Sequence, residues 1–133
     1  MVSIPDEFQD LFEKPTIAHV ATLTGDGDPH VTPVWVGYDP KDDRLLVNTE
    51  RGRRKERNVR ANPSVGVSMT DPDNPYRRVS VIGTVDEVTT DGAREHIDDL
   101  ARRYTGEEYA IPIETERVLV RIQVDEVVDA TDQ

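Results

Sequence analysis

Three short apolar, β-branched runs lie close together near the start of the chain, and the connections between them are too short to hold a helix. Ile17 to Leu23 is followed by Thr24-Gly25-Asp26-Gly27, then His30 to Val36, then Asp39-Pro40-Lys41-Asp42-Asp43, then Leu45 to Thr49. Such Gly, Asp and Pro clusters between extended runs are tight-turn chemistry, so the three runs predict an antiparallel meander. Neighbouring parallel strands need a crossover of about a dozen residues or more, which these connections exclude. An alternating βαβ fold is therefore ruled out for this half of the chain.

The remaining elements follow the same reading. Pro5, Asp6 and Glu7 suit the first turn of a short helix whose face is Phe8, Leu11 and Phe12, and Pro15 stops it. Gly52 precedes a basic stretch, Arg53 to Ala61, that reads as a short helix ended before Pro63. Val65 to Met69 is a fourth strand and Thr70 to Pro75 a loop. Val79 to Val88 is a long fifth strand, with Gly83 marking a bend or bulge. Thr90 or Asp91 caps a helix whose apolar face is Ala93, Ile97, Leu100, Ala101 and Tyr104, and Gly106 ends it. In Val118 to Val128, the last strand, Val118, Val120, Ile122 and Val124 share a face. The expectation is a mainly β fold: one small barrel or sandwich of about six mostly antiparallel strands with two or three short helices, spanning residues 1–133 as a single domain.

Charge narrows the setting. The chain has 27 acidic and 16 basic residues, a net charge of -11, and Asp supplies 16 of the acids while Lys supplies 3 of the bases. Short, strongly hydrated carboxylates in place of lysine stems suit a cytoplasm of very high salt, where screening removes self-repulsion. A halophilic source is the inference; the alternative is an ordinary acidic protein. The negative field argues against a nucleic-acid partner. Absent Cys excludes disulfides and thiolate metal sites. No apolar run approaches the roughly 20 residues of a membrane span, and the first residues do not read as a secretory signal, so the expectation is a cytoplasmic protein.

Against that field, residues 51–60 carry six cations (Arg51, Arg53, Arg54, Lys55, Arg57, Arg60) and one acid, Glu56, leaving -16 on the rest of the chain. Arg offers forked donors to phosphate oxygens, Lys a point charge, and a helix N-terminus adds free N–H groups. The segment fits a site for an anionic small molecule; the alternative is a solvated helix face that balances the acidic surface. The acidic loops lack EF-hand spacing, His19, His30 and His96 form no metal-ligand pair, and the serines lie in no nucleophile elbow. Trp35, the only Trp, reads either as core or as a stacking surface for a planar ligand.

These residues also carry a resemblance. Ile17-Ala18-His19-Val20-Ala21-Thr22-Leu23, then Asp26-Gly27, then Pro29-His30-Val31-Thr32-Pro33-Val34-Trp35-Val36, resembles the opening of the pyridoxamine 5'-phosphate oxidase-like split β-barrels. Leu46-Val47-Asn48-Thr49 followed by Gly52-Arg53-Arg54-Lys55, with Arg57-Asn58 beyond, is similar to their phosphate-binding segment. Asn62-Pro63, Val65, Val81, Gly83 and Val85 continue the register, and the flavour is that of the branch using the deazaflavin coenzyme F420. With the acidic composition, that branch points to a haloarchaeal source.

The resemblance implies a homodimeric split barrel with the cofactor in a groove between subunits. It implies that Lys55 with Arg53 or Arg54 holds a phosphate, the choice staying open because an extended loop alternates its side chains. It places Asn48 and Thr49 as polar contacts and Thr32, Pro33, Val34, Trp35 and Val36 along the ring system, with Tyr76, Arg77 and Arg78 reaching in from the partner. Three functions fit: an oxidoreductase moving hydride between F420 and a small conjugated substrate, an FMN-dependent oxidoreductase on the same barrel, or a non-catalytic flavin- or haem-binding module. The C-terminal Trp and the Arg-x-His-Arg-like clamp of true pyridoxamine phosphate oxidases have no counterpart in Arg117-Val-Leu-Val-Arg121, so vitamin B6 oxidation is not expected.

Overall fold

Seven antiparallel strands form one curled sheet in the computed structural model, which describes residues 2–128. In chain order they are β1 (Ala18–Leu23), β2 (Pro29–Val34), β3 (Val36–Asp39), β4 (Arg44–Glu50), β5 (Ser64–Asp71), β6 (Asn74–Thr89) and β7 (Arg117–Val128). A short 3-10 helix covers Asp6–Phe12, α1 covers Arg54–Ala61 and α2 covers Ala93–Thr105. The sheet order is β2-β1-β5-β6-β7-β4-β3. Its two outermost strands, β2 and β3, are consecutive in sequence and separated by Trp35 alone. One residue spans only a few ångströms, so the two edges of the sheet meet there and the sheet closes on itself. They do not pair, and the result is a split barrel of mainly β structure.

The expected second strand, His30 to Val36, is thus two strands, and about six becomes seven. α2 supplies the bonds that pairing would have given at the seam. Val36 N–H donates to the Tyr104 hydroxyl (3.3 Å), Arg103 Nη1 donates to the Val36 carbonyl (3.3 Å), and the Tyr104 hydroxyl donates to the Thr16 carbonyl. The Trp35 ring lies on Tyr104 at 5.2 Å and 16°. The expected N-cap of α2, Thr90 or Asp91, shifts by one or two residues to Gly92, and Gly106 ends the helix as expected.

Curling needs a bent long strand. β6 pairs with both β5 and β7, and its register slips at Ile82/Gly83 and at Val85/Glu87. Bulges of this kind bend and twist a strand. At the first of them Gly83 is buried against β7. Inside the curl lie Val20, Val36, Leu45, Val47, Val67, Met69, Val81, Val120, Ile122 and Val124, and Ile4, Leu11 and Phe12 close one end. The start of β7 is buried on both faces, Arg117 to Val120, because α2 covers the face opposite the core with Ala93, Ile97, Leu100 and Ala101. The expected loop Thr70 to Pro75 is a tight hairpin instead. Lys14 and Arg77 both bond Asp71, at 2.7 and 2.8 Å, and hold the end of β5 in the sheet. These contacts keep the Asp71 carboxyl well below the usual carboxylate range.

Candidate functional site

A cavity of about 380 Å³ opens where β4 ends, α1 begins and α2 crosses the seam. Pro33, Val34 and Trp35 line it from the seam, Asn48 and Thr49 from β4, Arg53 and Lys55 from the start of α1. Gly52 adopts φ +93, a left-handed turn that glycine takes without steric cost, and this swings the chain from β4 into α1. The turn fixes the phase of the loop. Arg53, itself exposed, and half-buried Lys55 line the cavity, while Arg54 does not. Val36 belongs to the core, being fully buried, and Thr32 lies one residue back along β2, off the cavity wall. Arg78 lines a second hollow with Phe8, Tyr76 and Arg77, near the β5–β6 hairpin.

The chemistry of the rim is cationic. α1 has no side-chain cap, so its first N–H groups lack intrahelical partners and face outward with the positive end of the helix dipole. The Gly52 N–H is taken by the buried Glu56 carboxylate (2.8 Å), and Arg53 reaches Glu50 (3.1 Å). Among the described residues no carboxylate pairs with Lys55. Burial pushes the Lys55 ammonium down from its ordinary value, helped by the nearby Arg53 and Arg117. An anion at this point relieves all three effects. The Thr49 hydroxyl is buried with no hydrogen-bond partner, an orphaned polar atom on the cavity wall. Besides Glu56, Glu50 is the carboxylate close by among the described residues. It accepts from the Glu114 and Thr115 N–H groups (2.8 and 2.6 Å), and the Thr115 amide foremost holds its carboxyl below the usual range.

Several wall residues were not legible as site residues: Ile17, Ile97, Leu100, Tyr109, Ile111 and Arg117. Ile97 and Leu100 belong to the apolar face of α2 that the spacing predicts, and the cavity uses the same face. Tyr109 and Ile111 sit in a stretch without periodicity. Arg117 opens a strand and gave no signal of its own.

Behind the wall, His96 is a half-buried neutral imidazole. The Asn48 amide donates to the Ala93 carbonyl (2.8 Å) and meets His96 Nδ1 at 3.1 Å, so Nδ1 is the acceptor and the ring proton sits on Nε2. Burial first, and Arg103 next, lower the His96 pKa to about 4. Unfolded, His96 takes up a proton near pH 6.5, which the folded chain refuses until about 4. Stability should therefore fall as the pH drops through that window, by about 1.4 kcal/mol per pH unit at most from this group. Urea unfolding of wild type and His96→Gln between pH 7 and 4.5 checks it: the variant's pH dependence should be flatter, and identical slopes would remove this role for His96.

Comparison with known proteins adds to the geometry. A family profile described as Pyridoxamine 5'-phosphate oxidase matches residues 4–129. Among solved structures the chain is similar to one described as an F420 reductase, at 31% identity over 94% of this chain and 98% of that one, with a TM-score of 0.81. HupZ of Group A Streptococcus shares the fold at 22% identity, 96% and 94% coverage and a TM-score of 0.70. A FAD-binding protein from Mesorhizobium loti shares it at 22% identity, 93% and 92% coverage and a TM-score of 0.68. No curated protein matches the chain in sequence. No helix among the described residues is long and apolar enough to cross a membrane.

Proposed function

We propose that this chain, which belongs to the pyridoxamine 5'-phosphate oxidase family, is an oxidoreductase that binds coenzyme F420 and moves hydride between it and a small conjugated organic substrate. The observation that carries the reading is the half-buried Lys55 ammonium, with no carboxylate partner among the described residues, beside Arg53 and the uncapped start of α1 on a wall shared with Trp35. The likeness to an F420 reductase at 31% identity supports F420 over FMN.

The residues present fit a phosphate-bearing cofactor. Lys55, Arg53 and the α1 N–H groups would hold the phosphate as a charge-assisted cradle. The orphaned Thr49 hydroxyl would gain its missing partner, and Pro33, Val34 and Trp35, with Thr32 and Val36 behind them, would shape the slot for a planar ring. When bound, F420 supplies the hydride chemistry; the chain supplies position, an apolar wall and a positive field. Turnover of reduced F420 with a panel of conjugated acceptors tests this reading. So does the absorbance spectrum of freshly purified protein, which should show a deazaflavin band; a flavin or haem band would move the function to the corresponding alternative.

The setting we propose is a cytoplasmic homodimer working at high salt, with Arg78 of each subunit, beside Tyr76 and Arg77, reaching the groove of the other. Support comes from the outer sheet face, where Val31, Ala21, Gly66 and Ile82 form one cross-strand row whose ends are 57% and 50% exposed. Sedimentation at micromolar concentration in multimolar KCl should give a dimer, and a monomer would count against the arrangement. The charge supports the salt requirement. Unscreened repulsion among carboxylates loosens a fold, so the melting temperature should rise steeply from dilute buffer to multimolar KCl. A flat response would remove the halophilic reading.

A further inference from the structure

Arg117 is buried to 7% exposure and lines the cavity from the start of β7, a different wall from α1. Its hydrogen-bond partners are neutral. Nε donates to Asn48 Oδ1 (2.8 Å) and Nη1 to the Tyr109 hydroxyl (3.4 Å), while the guanidinium sits 5.0 Å from the centre of the Tyr109 ring. The nearest carboxylate, Glu50, is 3.9 Å away, beyond hydrogen-bond reach, and its oxygens already accept from two backbone N–H groups, the Thr115 hydroxyl and Arg53. Nη2 makes no hydrogen bond among the described residues. A buried cation normally has a hydrogen-bonded counter-charge; among the described residues Arg117 has only the long 3.9 Å ion pair with buried Glu50, and no carboxylate hydrogen-bonds it.

The orientation is also fixed. Asn48 is locked by Ala93 and His96, which turns its carbonyl oxygen toward Arg117 Nε and leaves the rest of the fork to swing over Tyr109. The cavity that Arg117 lines also carries flat or apolar side chains: Tyr109 under the guanidinium, and Trp35, Ile97 and Leu100. Lys55, Arg53 and Arg117 repel one another across the cavity, and one anion at α1 does not give Arg117 a forked partner.

We infer that Arg117 is a second anion-binding residue of this cavity, taking a carboxylate-type oxyanion carried by a planar ligand, separately from the phosphate cradle at α1. This rests on the reading of the cavity as a ligand site, and it makes the preferred small molecule acidic rather than neutral.

Trp35 is the only Trp and lines the cavity, so its fluorescence reports occupancy. Benzoate and inorganic phosphate are titrated into the full-length chain at constant high KCl, for wild type, Arg117→Met, Arg117→Lys and Lys55→Ala, with a thermal melt of each. Arg117→Met should weaken benzoate by about 10-fold or more and phosphate by less than about 3-fold, and Lys55→Ala should do the reverse. Arg117→Lys keeps the charge without the fork and should lose about 5-fold for benzoate, which keeps the test alive should Arg117→Met fail to fold. Unchanged benzoate affinity in the folded Arg117 variants, equal loss of both anions, or no benzoate binding to wild type would overturn the inference. Repeating the benzoate titration on F420-loaded protein separates the sources: continued binding assigns the oxyanion to the substrate, competition assigns it to the cofactor. Failure of F420 to bind wild type would overturn the proposed function while leaving the benzoate comparison intact.

Discussion

Replacing Lys55 with alanine should weaken F420 binding by about 10- to 100-fold, because a charge-assisted contact to phosphate contributes on the order of 1.5–3 kcal/mol. The fold should be spared. Among the described residues Lys55 makes no ion pair that the substitution would break, and its loss removes a like-charge neighbour from Arg53 and Arg117. Arg53→Ala should cost less than Lys55→Ala, since Arg53 divides its donors between the cavity and Glu50. Arg54→Ala should change affinity by a few tenths of a kcal/mol at most, as expected of an exposed cation. Titrating each variant at constant high salt checks the order. Equal effects from Lys55, Arg53 and Arg54 would mean that the basic segment only balances the acidic surface.

Gly83→Ala should be among the most damaging single substitutions outside the cavity. A Cβ at this position would stand 2.6 Å from Ile122 Cγ2 and 2.7 Å from the Gln123 carbonyl oxygen. The first neighbour is a buried side chain and the second is backbone, so β6 and β7 must part at the bulge that bends the sheet. Overpacking of this kind costs about 1–3 kcal/mol or more, out of a total stability on the order of 5–15 kcal/mol. Gly66, on the neighbouring strand, is the control. Its added Cβ would meet nothing closer than 3.9 Å, so Gly66→Ala should melt within a few degrees of wild type while Gly83→Ala melts roughly 5–15 °C lower. Equal melting temperatures would show that the sheet relaxes at the bulge without cost.

Much of this fold is written locally. The β-branched runs, the Gly-Asp turns and the i, i+3, i+4 face of α2 are periodicities that any window of ten residues displays. The break at Trp35 is not. Residues 30–36 form one apolar, β-branched run, and whether they make one strand or two depends on β2 and β3 pairing at opposite edges of the sheet, with Tyr104 and Arg103 bonding Val36, the first residue of β3. The end of β5 is similar. Asp71 reads as a loop residue, yet ion pairs to Lys14, far away in sequence, and to Arg77 across the hairpin keep it in the ladder.

The candidate site divides in the same way. The basic segment stood out because cations are scarce elsewhere, and Lys55, Arg53, Thr49 and Asn48 all line the cavity. Which of Arg53 and Arg54 turns inward depends on the left-handed Gly52 and the exact start of α1, a phase that composition does not carry. Arg117 was invisible because its role comes from register. β4 and β7 pair so that Arg117 stands opposite Glu50 and within reach of Asn48, and neither fact is local.

Equilibrium titration of F420 and FMN into the wild-type protein, followed by Trp35 fluorescence in multimolar KCl, bears most directly on the central claim. The account predicts saturable binding of one F420 per chain, tighter than FMN, and weakened at least about 10-fold by Lys55→Ala. Tighter binding of FMN would make this a flavin-dependent protein on the same barrel. Absence of saturable binding by either cofactor would contradict the account.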